Sequence, residues 1–281
     1  MAFVAAVPGI PGAATYRVES LPADIVGGDV LNAYIQAKPG ELLFSIPGIA
    51  RFRVRNGDTI EYREEEGADP GLVQLYLHGT ARGALIHQRG ELPFHAATLV
   101  PRGQETALAI CGPSGAGKST LAAELVRRGW LLVADDTTRV TNQGGQPLAW
   151  PSRDTIKLWK DACEAGRIEL READRVAKGM DKYYVPVPSR VEPVALGSVV
   201  ELIPGASGAP LGVGEKLALL TRNTYRPDQI KPLAVERHHV RMVSQIATRC
   251  RIMQLPSKGL PVAELADLLE NEQGRQGQVA G

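Results

Sequence analysis

The sequence predicts an α/β fold in which a small β-rich N-terminal module is followed by a core of strands and helices. Three patterns support this prediction. Residues 16–66 contain short extended segments joined by turns, residues 106–128 read as a strand, a glycine-rich turn and a helix, and residues 196–203 form a β-branched apolar strand. The chain has 281 residues, enough for one large domain or two modest ones.

The β-rich module is predicted from its turn chemistry. Residues 51–55 alternate charged and apolar side chains, and Asn56, Gly57 and Asp58 form a turn that leads into a second extended segment, as in a β-hairpin. After Pro70 the apolar spacing changes to that of a helix, in which His78 and His87 have packing or surface roles. We assign residues 1–88 to the module with this connecting helix, 89–272 to the core, and 273–281 to a disordered tail.

Composition limits the classes of partner. The 32 basic and 31 acidic side chains nearly balance, so no overall field attracts nucleic acid or a membrane surface. No segment approaches the ~20 apolar residues that span a bilayer, and the N-terminus lacks the basic start of a signal peptide. The three scattered cysteines have no metal-ligand spacing, which is typical of a reducing compartment. We therefore expect a cytoplasmic protein with neither nucleic-acid nor membrane partners.

The core begins with an extended segment over residues 92–100, with His95 at its centre. A lone histidine on a strand usually has a packing role, so chemistry alone favours that role here. The next strand, residues 107–111, leads into a turn with the spacing G-x-x-x-x-G-K-[ST] and then into a helix over residues 119–128.

Such a turn binds polyphosphate, because glycines let successive N–H groups point into one cavity and the helix start adds the positive end of its dipole. Lys118 would reach the β- and γ-phosphates, Ser119 would bind the accompanying magnesium, and Thr120 would brace the helix start. The predicted nucleotide-binding residues are Gly112, Pro113, Ser114, Gly115, Ala116, Gly117, Lys118, Ser119 and Thr120.

A second apolar run, residues 130–134, ends in Asp135 and Asp136. One carboxylate beside a phosphate loop can hold magnesium while the other accepts a proton from an attacking hydroxyl. We assign proton acceptance to Asp135 and metal binding to Asp136, with the reverse order left open. The alternative is a metal-binding aspartate followed by a helix cap at Asp136.

Downstream, the pattern predicts a hairpin over residues 138–150 and an amphipathic helix centred on Leu158 and Trp159. Arg153 and Lys157 are candidates for neutralising transferred phosphate, and the alternative is that both are surface cations. A strand at residues 181–185 and the apolar strand at residues 196–203 follow. Two helices, a final strand and a final helix complete the core.

The segments HAATLV, GPSGAGKST and RRGWLLVADD resemble, in order and spacing, the core of the HPr kinase/phosphorylase family. They are most similar to the HPr-kinase-like proteins of lasso-peptide biosynthesis, which phosphorylate a serine of the precursor peptide. The resemblance implies a P-loop kinase core that uses ATP and Mg²⁺. It places the family's histidine on His95, hydrogen-bonded to one aspartate, and its paired acids on Asp135 and Asp136. It also makes Lys182 a candidate contact to nucleotide or acceptor.

The family's later E-I-R-G-x-G segment has no match, and PSRDTIKLW occupies that neighbourhood. The resemblance therefore implies kinase chemistry on an acceptor other than HPr, in a protein that by analogy assembles as a homo-oligomer. The first hypothesis is an ATP-dependent serine kinase acting on a peptide or protein, such as a lasso-peptide precursor. The alternatives are a small-molecule kinase on the same core and a non-catalytic ATP-binding switch.

Overall fold

The computed structural model describes residues 2–206 and 208–279, with only the backbone given for Phe3 and residues 272–279. It has mixed α/β architecture with three β-sheets. The predicted division into residues 1–88 and 89–272 stays a prediction, although the first sheet does lie wholly within residues 1–88.

Seven strands form the first sheet, in the order β1-β2-β7-β6-β5-β4-β3. All neighbours are antiparallel except β2 and β7. The predicted hairpin is β6 and β7, joined by a turn in which Asn56 and Gly57 have φ of 56° and 69°. The strands are β1 (Ala2–Ala6), β2 (Ala14–Arg17), β3 (Asp29–Asn32), β4 (Ile35–Lys38), β5 (Glu41–Ile46), β6 (Ala50–Arg55) and β7 (Thr59–Glu64).

The connecting helix contains a break that the periodicity does not predict. Helix α1 (Pro70–Tyr76) is capped by Asp69, whose Oδ1 accepts from the Gly71 N–H at 2.7 Å. A π-helical turn, Leu77–Ala81, follows, and α2 (Arg82–Gln88) completes the segment. Its apolar side chains pack on the first sheet in one buried cluster. Such π turns are frequent at functional sites.

The larger sheet is formed by strands of the predicted core, residues 89–272. It has the order β11-β9-β10-β16-β13-β12-β8, and β17 pairs with the C-terminal half of β16. Strands β14 and β15 form a separate antiparallel pair. The strands are β8 (Leu92–Phe94), β9 (Ala96–Val100), β10 (Thr106–Cys111), β11 (Leu131–Ala134), β12 (Thr138–Gln143), β13 (Gln146–Trp150), β14 (Thr155–Trp159), β15 (Lys182–Pro186), β16 (Val194–Ile203) and β17 (Arg251–Pro256).

Helices cover both faces of this sheet. Alternate residues of β10 face opposite ways, and they pack against different helices. Leu108 and Ile110 belong to the cluster that includes residues of α3 and α7, whereas Ala109 and Cys111 belong to the cluster that includes residues of α5 and α6. The helices are α3 (Lys118–Arg127), α4 (Lys160–Ala165), α5 (Val213–Arg222), α6 (Glu236–Arg249) and α7 (Val262–Val279).

Two predicted elements differ from the structure. The single extended segment at residues 92–100 is two strands, with a break at His95, because β8 pairs with β12 whereas β9 pairs with β10 and β11. The predicted helix around Leu158 and Trp159 is the strand β14 followed by α4. Its period is two, since Ile156 and Leu158 are buried while Lys157 lies on the opposite face.

The C-terminal helix is longer than its apolar pattern predicts. Helix α7 continues to Val279, through most of the segment predicted as a disordered tail, and residues 280 and 281 lie outside the described residues. Extending an anchored helix adds one hydrogen bond for each residue fixed, which the apolar pattern does not report. Among the described residues, no helix combines the length and apolarity needed to cross a membrane.

Candidate active site

The glycine-rich loop lies between β10 and α3, as the motif predicts. Gly112, Gly115 and Gly117 have φ of 135°, 79° and 91°, values that side chains rarely allow. At Gly112 a Cβ would also lie 2.4 Å from the carbonyl oxygen of Leu202 on β16. The Lys118 ammonium donates to the carbonyl oxygens of Gly112 at 2.7 Å and Pro113 at 3.1 Å, so the lysine lies across the loop.

Sheet topology brings the loop and the two aspartates to one edge. Strand β9 is antiparallel to both β10 and β11, so β10 and β11 run in the same direction. The loop follows the end of β10 and Asp135 follows the end of β11. Carboxyl ends of parallel strands are the usual place for a binding site in α/β folds.

Asp136 has an unusual backbone conformation. Its φ is +68°, in the left-handed region, and β12 begins two residues later at Thr138. The alternative of a helix cap at Asp136 is therefore wrong, because no helix follows. Left-handed backbone at a non-glycine residue is sparsely populated and occurs preferentially at functional sites.

Lys157 contacts both aspartates. Its ammonium lies 2.5 Å from Asp136 Oδ2, and its backbone N–H donates to Asp135 Oδ2 at 2.8 Å. Burial raises the pKa of Asp136, but the charge and hydrogen bond of Lys157 outweigh it and lower that pKa to about 2. For Asp135, burial dominates and its pKa is raised despite the charge of Lys157. The two carboxylates therefore differ: Asp136 is held as an anion and Asp135 is the more basic.

His95 sits at the break between β8 and β9 and opens onto the same edge. Its Nε2 lies 3.7 Å from Asp136 Oδ1, which is longer than the hydrogen bond that the resemblance implies. Burial lowers the pKa of His95, so the neutral imidazole faces the Asp136 carboxylate near pH 7. Its ring is tilted against Tyr225, with 5.6 Å between the centroids. His95 also lines a cavity of about 400 Å³ with Gly112, Ser114 and Glu201, so it shares one space with the loop.

Asn223 ties the loop to His95. Its side-chain oxygen accepts from the Gly112 N–H at 3.0 Å, and its backbone oxygen accepts from the His95 N–H at 2.8 Å. Its amide nitrogen donates to Glu201 Oε1 at 2.7 Å. Glu201 is fully buried near the end of β16 and also accepts from Arg222 and Gln254. Asn223 thus positions both the start of the loop and the histidine.

Strands β14 and β15 present cations to the aspartates. Lys157 is directly opposite Tyr184, and Trp159 is opposite Lys182, so these side chains lie on one face. The Lys182 ammonium lies 5.2 Å from the Trp159 ring centroid. The Arg153 guanidinium lies 4.6 Å from the Tyr184 ring centroid and lines a small cleft with Asp135 and Asp136.

The structure therefore brings the predicted residues to one sheet edge. Burial lowers the pKa of Lys118, and the charges of Asp136 and Asp135 act against that shift. Sequence reasoning missed Asn223 and Glu201, because a helix-end asparagine and a strand glutamate match no motif. It also missed Arg82, which lies within an ordinary helical pattern.

The oxygen ligands near the loop fit magnesium. The Ser119 hydroxyl and the Asp136 carboxylate are the hard donors that Mg²⁺ prefers, and this ion is usually held by one or two carboxylates with phosphate oxygens and water. Over residues 2–206 and 208–279, no group of three histidine, cysteine or acidic side chains could form an all-protein metal cage. The residues present therefore suit a nucleotide-dependent magnesium ion.

Comparison with known proteins returned distant likenesses to solved structures. No protein-family model matches the sequence, and no curated protein matches it. Among solved structures, the chain is similar to the HPr(Ser) kinase/phosphatase from Coxiella burnetii, with a TM-score of 0.37 and 18% identity over 67% of this chain and 98% of that chain. A likeness at that TM-score does not indicate a function.

Proposed function

We propose that this protein is an ATP-dependent kinase that transfers the γ-phosphoryl group to a serine hydroxyl of a peptide or protein. One observation carries the proposal: a G-x-x-x-x-G-K-[ST] loop and an aspartate pair follow the ends of two strands that run in the same direction, so they lie at the same sheet edge. Phosphoryl transfer requires positioning and charge stabilisation together with a group that accepts the hydroxyl proton. This edge supplies all three.

Each residue has a role in this proposal. The loop N–H groups and Lys118 bind the β- and γ-phosphates of ATP. Asp135, whose pKa is raised by burial, accepts the proton of the acceptor hydroxyl. His95 and Lys157 flank Asp136 and fix its position. Lys182 is a candidate contact to nucleotide or acceptor.

Ser119 and Asp136 would hold Mg²⁺, which when bound would neutralise charge on the transferred phosphate. In this assignment Asp136 suits the metal-binding role because Lys157 keeps it ionised. The site differs from one in which only carboxylates surround the metal, because the Lys157 ammonium contacts Asp136.

The alternatives are a small-molecule kinase and an ATP-binding switch without transfer. Both keep the loop: the small-molecule kinase would differ only in its acceptor pocket, and the switch would bind ATP without transferring phosphate. The lasso-peptide precursor implied by the resemblance is the first acceptor to test, and the homo-oligomeric state stays a prediction.

The test is transfer of label from γ-labelled ATP with magnesium to serine peptides and, in parallel, to hydroxylated metabolites. We expect labelled peptide from the wild-type chain. Label on a metabolite alone would favour the small-molecule kinase, and binding or hydrolysis without any labelled acceptor would favour the switch.

Lys118→Ala is the matching variant. Since it removes the charge nearest the transferred group, kcat/KM for transfer should fall by at least about 100-fold and ATP affinity should weaken. Lys231→Ala, which changes an exposed lysine remote from the motif in sequence, should leave transfer at the wild-type rate. Unchanged turnover in Lys118→Ala would remove the loop from the mechanism.

A further inference from the structure

Several cationic side chains line a small cleft beside the aspartate pair, and not all of them have a role in the proposed transfer. It has a volume of about 40 Å³ and is lined by Asp135, Asp136, His78, Arg82, Arg153 and Lys157. A water requires roughly 10–15 Å³ by this measure, so the cleft accepts a group about the size of a few waters. Three elements meet here: the π turn before α2, the end of β11, and the β14–β15 pair.

Arg82 is the least expected of these cations. Its side chain is buried, with 3% of the residue exposed, and it donates to the Pro8 carbonyl oxygen at 3.0 Å and the Thr137 carbonyl oxygen at 2.8 Å. Its Nη2 has no hydrogen-bond partner within the described part of the chain. A buried guanidinium normally has every donor paired, because an unpaired buried charge is costly. Arg82 therefore adds a buried positive charge beside the cleft.

Arg153 is the second arginine that lines the cleft. Its guanidinium stacks on Tyr184 and forms no ion pair with any acidic side chain in residues 2–206 and 208–279. By contrast, Lys157 is paired with Asp136. His78 lines the same cleft. Burial and the charges of Arg153, Arg82 and Lys157 lower its pKa to about 4, so it is neutral at pH 7 and can complete a hydrogen-bonding set.

We propose that this cleft binds an oxyanion, a carboxylate or a phosphate, that the acceptor carries near its reacting hydroxyl. Arg153 would donate charge-assisted hydrogen bonds to it, since its planar guanidinium group matches oxyanion geometry, and the buried charge of Arg82 would add to the attraction. Because Asp135 lines the same cleft, an anion bound here places a nearby hydroxyl beside the proposed base. The acceptor class is therefore a hydroxyl compound with an acidic group close by. This inference rests on the proposed function for its catalytic consequence, but not for anion binding.

Binding is tested without turnover, by calorimetric titration of inorganic phosphate and of acetate into the full-length chain. We expect Arg153→Gln to weaken binding of the cleft anion by at least about tenfold. Lys118→Ala should leave that binding intact, because an anion held by the loop would depend on Lys118 instead. Arg190→Gln is the control, since Arg190 pairs with Glu105 and does not line the cleft.

The two anions distinguish the source. Binding of acetate alone indicates a carboxylate and binding of phosphate alone indicates a phosphate, and either supports the site. The anion site would be refuted if neither acetate nor phosphate bound the wild-type chain. It would also be refuted if Arg190→Gln weakened anion binding as much as Arg153→Gln.

Turnover then separates this inference from the proposed function. Two serine peptides that differ only in aspartate or asparagine beside the serine are compared. The acidic peptide should have kcat/KM about tenfold higher, and Arg153→Gln should remove that preference while Arg153→Lys keeps part of it. Equal transfer to both peptides would refute the claim that the acceptor carries the bound anion, and would leave the kinase standing. Anion binding that follows Arg153, with no transfer to any acceptor, would refute the kinase and leave the anion site standing.

Discussion

At the scale of single residues, Asp135 and Asp136 are neighbours whose surroundings give them opposite proton affinities. The Asp136 carboxylate faces the Lys157 ammonium at 2.5 Å, whereas Asp135 accepts only a backbone N–H from Lys157 and is governed by its burial. Pairs of acids whose environments separate their pKa values are typical of sites in which one acts as base and the other as a fixed charge. This difference supports the order in which Asp135 is the base.

Exchanging each acid for its amide tests this order. Asp135→Asn should keep ATP binding and lower kcat by at least about 100-fold, as removal of a general base does. Asp136→Asn should instead weaken the magnesium dependence, because it removes the proposed metal-binding carboxylate. Steady-state kinetics with a magnesium titration distinguish the two. Retained activity in Asp135→Asn with loss in Asp136→Asn would reverse the assignments.

The raised pKa of Asp135 predicts the pH dependence. The base must be ionised, so activity falls as the pH drops through the pKa of Asp135, which lies above the ordinary aspartate value of 3.8. The acidic limb of the kcat/KM profile should therefore have its midpoint above 3.8 and should be absent from the residual activity of Asp135→Asn. An unchanged limb in that variant would assign it to another group.

At the scale of elements, the site depends on where strands end and on one residue at the end of α5. Asn223 accepts from Gly112 and His95, donates to Glu201, and so links the loop, the break after β8 and the end of β16. All three partners are held by one buried side chain and its own backbone. Loss of that side chain would free the first N–H of the loop.

Asn223→Ala should therefore weaken both stability and nucleotide binding. It leaves the Gly112 N–H unpaired and removes one donor from buried Glu201, which should cost about 1–3 kcal/mol of unfolding free energy. Asn142→Ala is the matched control, because Asn142 caps a distant hairpin turn through the Gly145 N–H at 2.8 Å. Denaturant unfolding and ATP-analogue titration should show lost affinity only in Asn223→Ala. Equal nucleotide affinity in both variants would contradict the positioning role.

Several elements were predictable because their signals are local. The glycine-rich loop, the β6–β7 turn and the β12–β13 hairpin follow from residues that are adjacent in sequence. The break at His95 was not predictable, since it depends on which distant strands pair with each half. The strand at residues 155–159 was missed because Leu158 and Ala162, like Trp159 and Cys163, are four residues apart across the junction with α4 and so fit a helical pattern.

At the scale of the whole molecule, two buried arginines, one on the connecting helix and one in the core, hold the N-terminal segment in place. Arg82 donates to the Pro8 carbonyl oxygen, and Arg139 donates to the Gly9 carbonyl oxygen at 2.8 Å. Arg139 also forms a bidentate ion pair with Glu91, with N···O distances of 2.6 and 2.7 Å. The side chain of Arg139 is only 4% exposed and that of Glu91 16%. These contacts join β12, the start of α2, the turn before β8 and the turn after β1.

We therefore expect Arg139→Ala to destabilise the whole chain rather than one segment. Removing one partner of a buried pair leaves Glu91 charged and incompletely paired, which should cost about 3–5 kcal/mol. Arg171→Ala is the control: its pair with Asp174 is exposed, at 67% for the arginine side chain, and should contribute about 0–1 kcal/mol. Urea unfolding followed by both far-UV circular dichroism and tryptophan fluorescence should show one coincident transition, shifted to lower urea only in Arg139→Ala. Two separated transitions, with only one of them shifted, would show instead that the N-terminal sheet unfolds independently of the core.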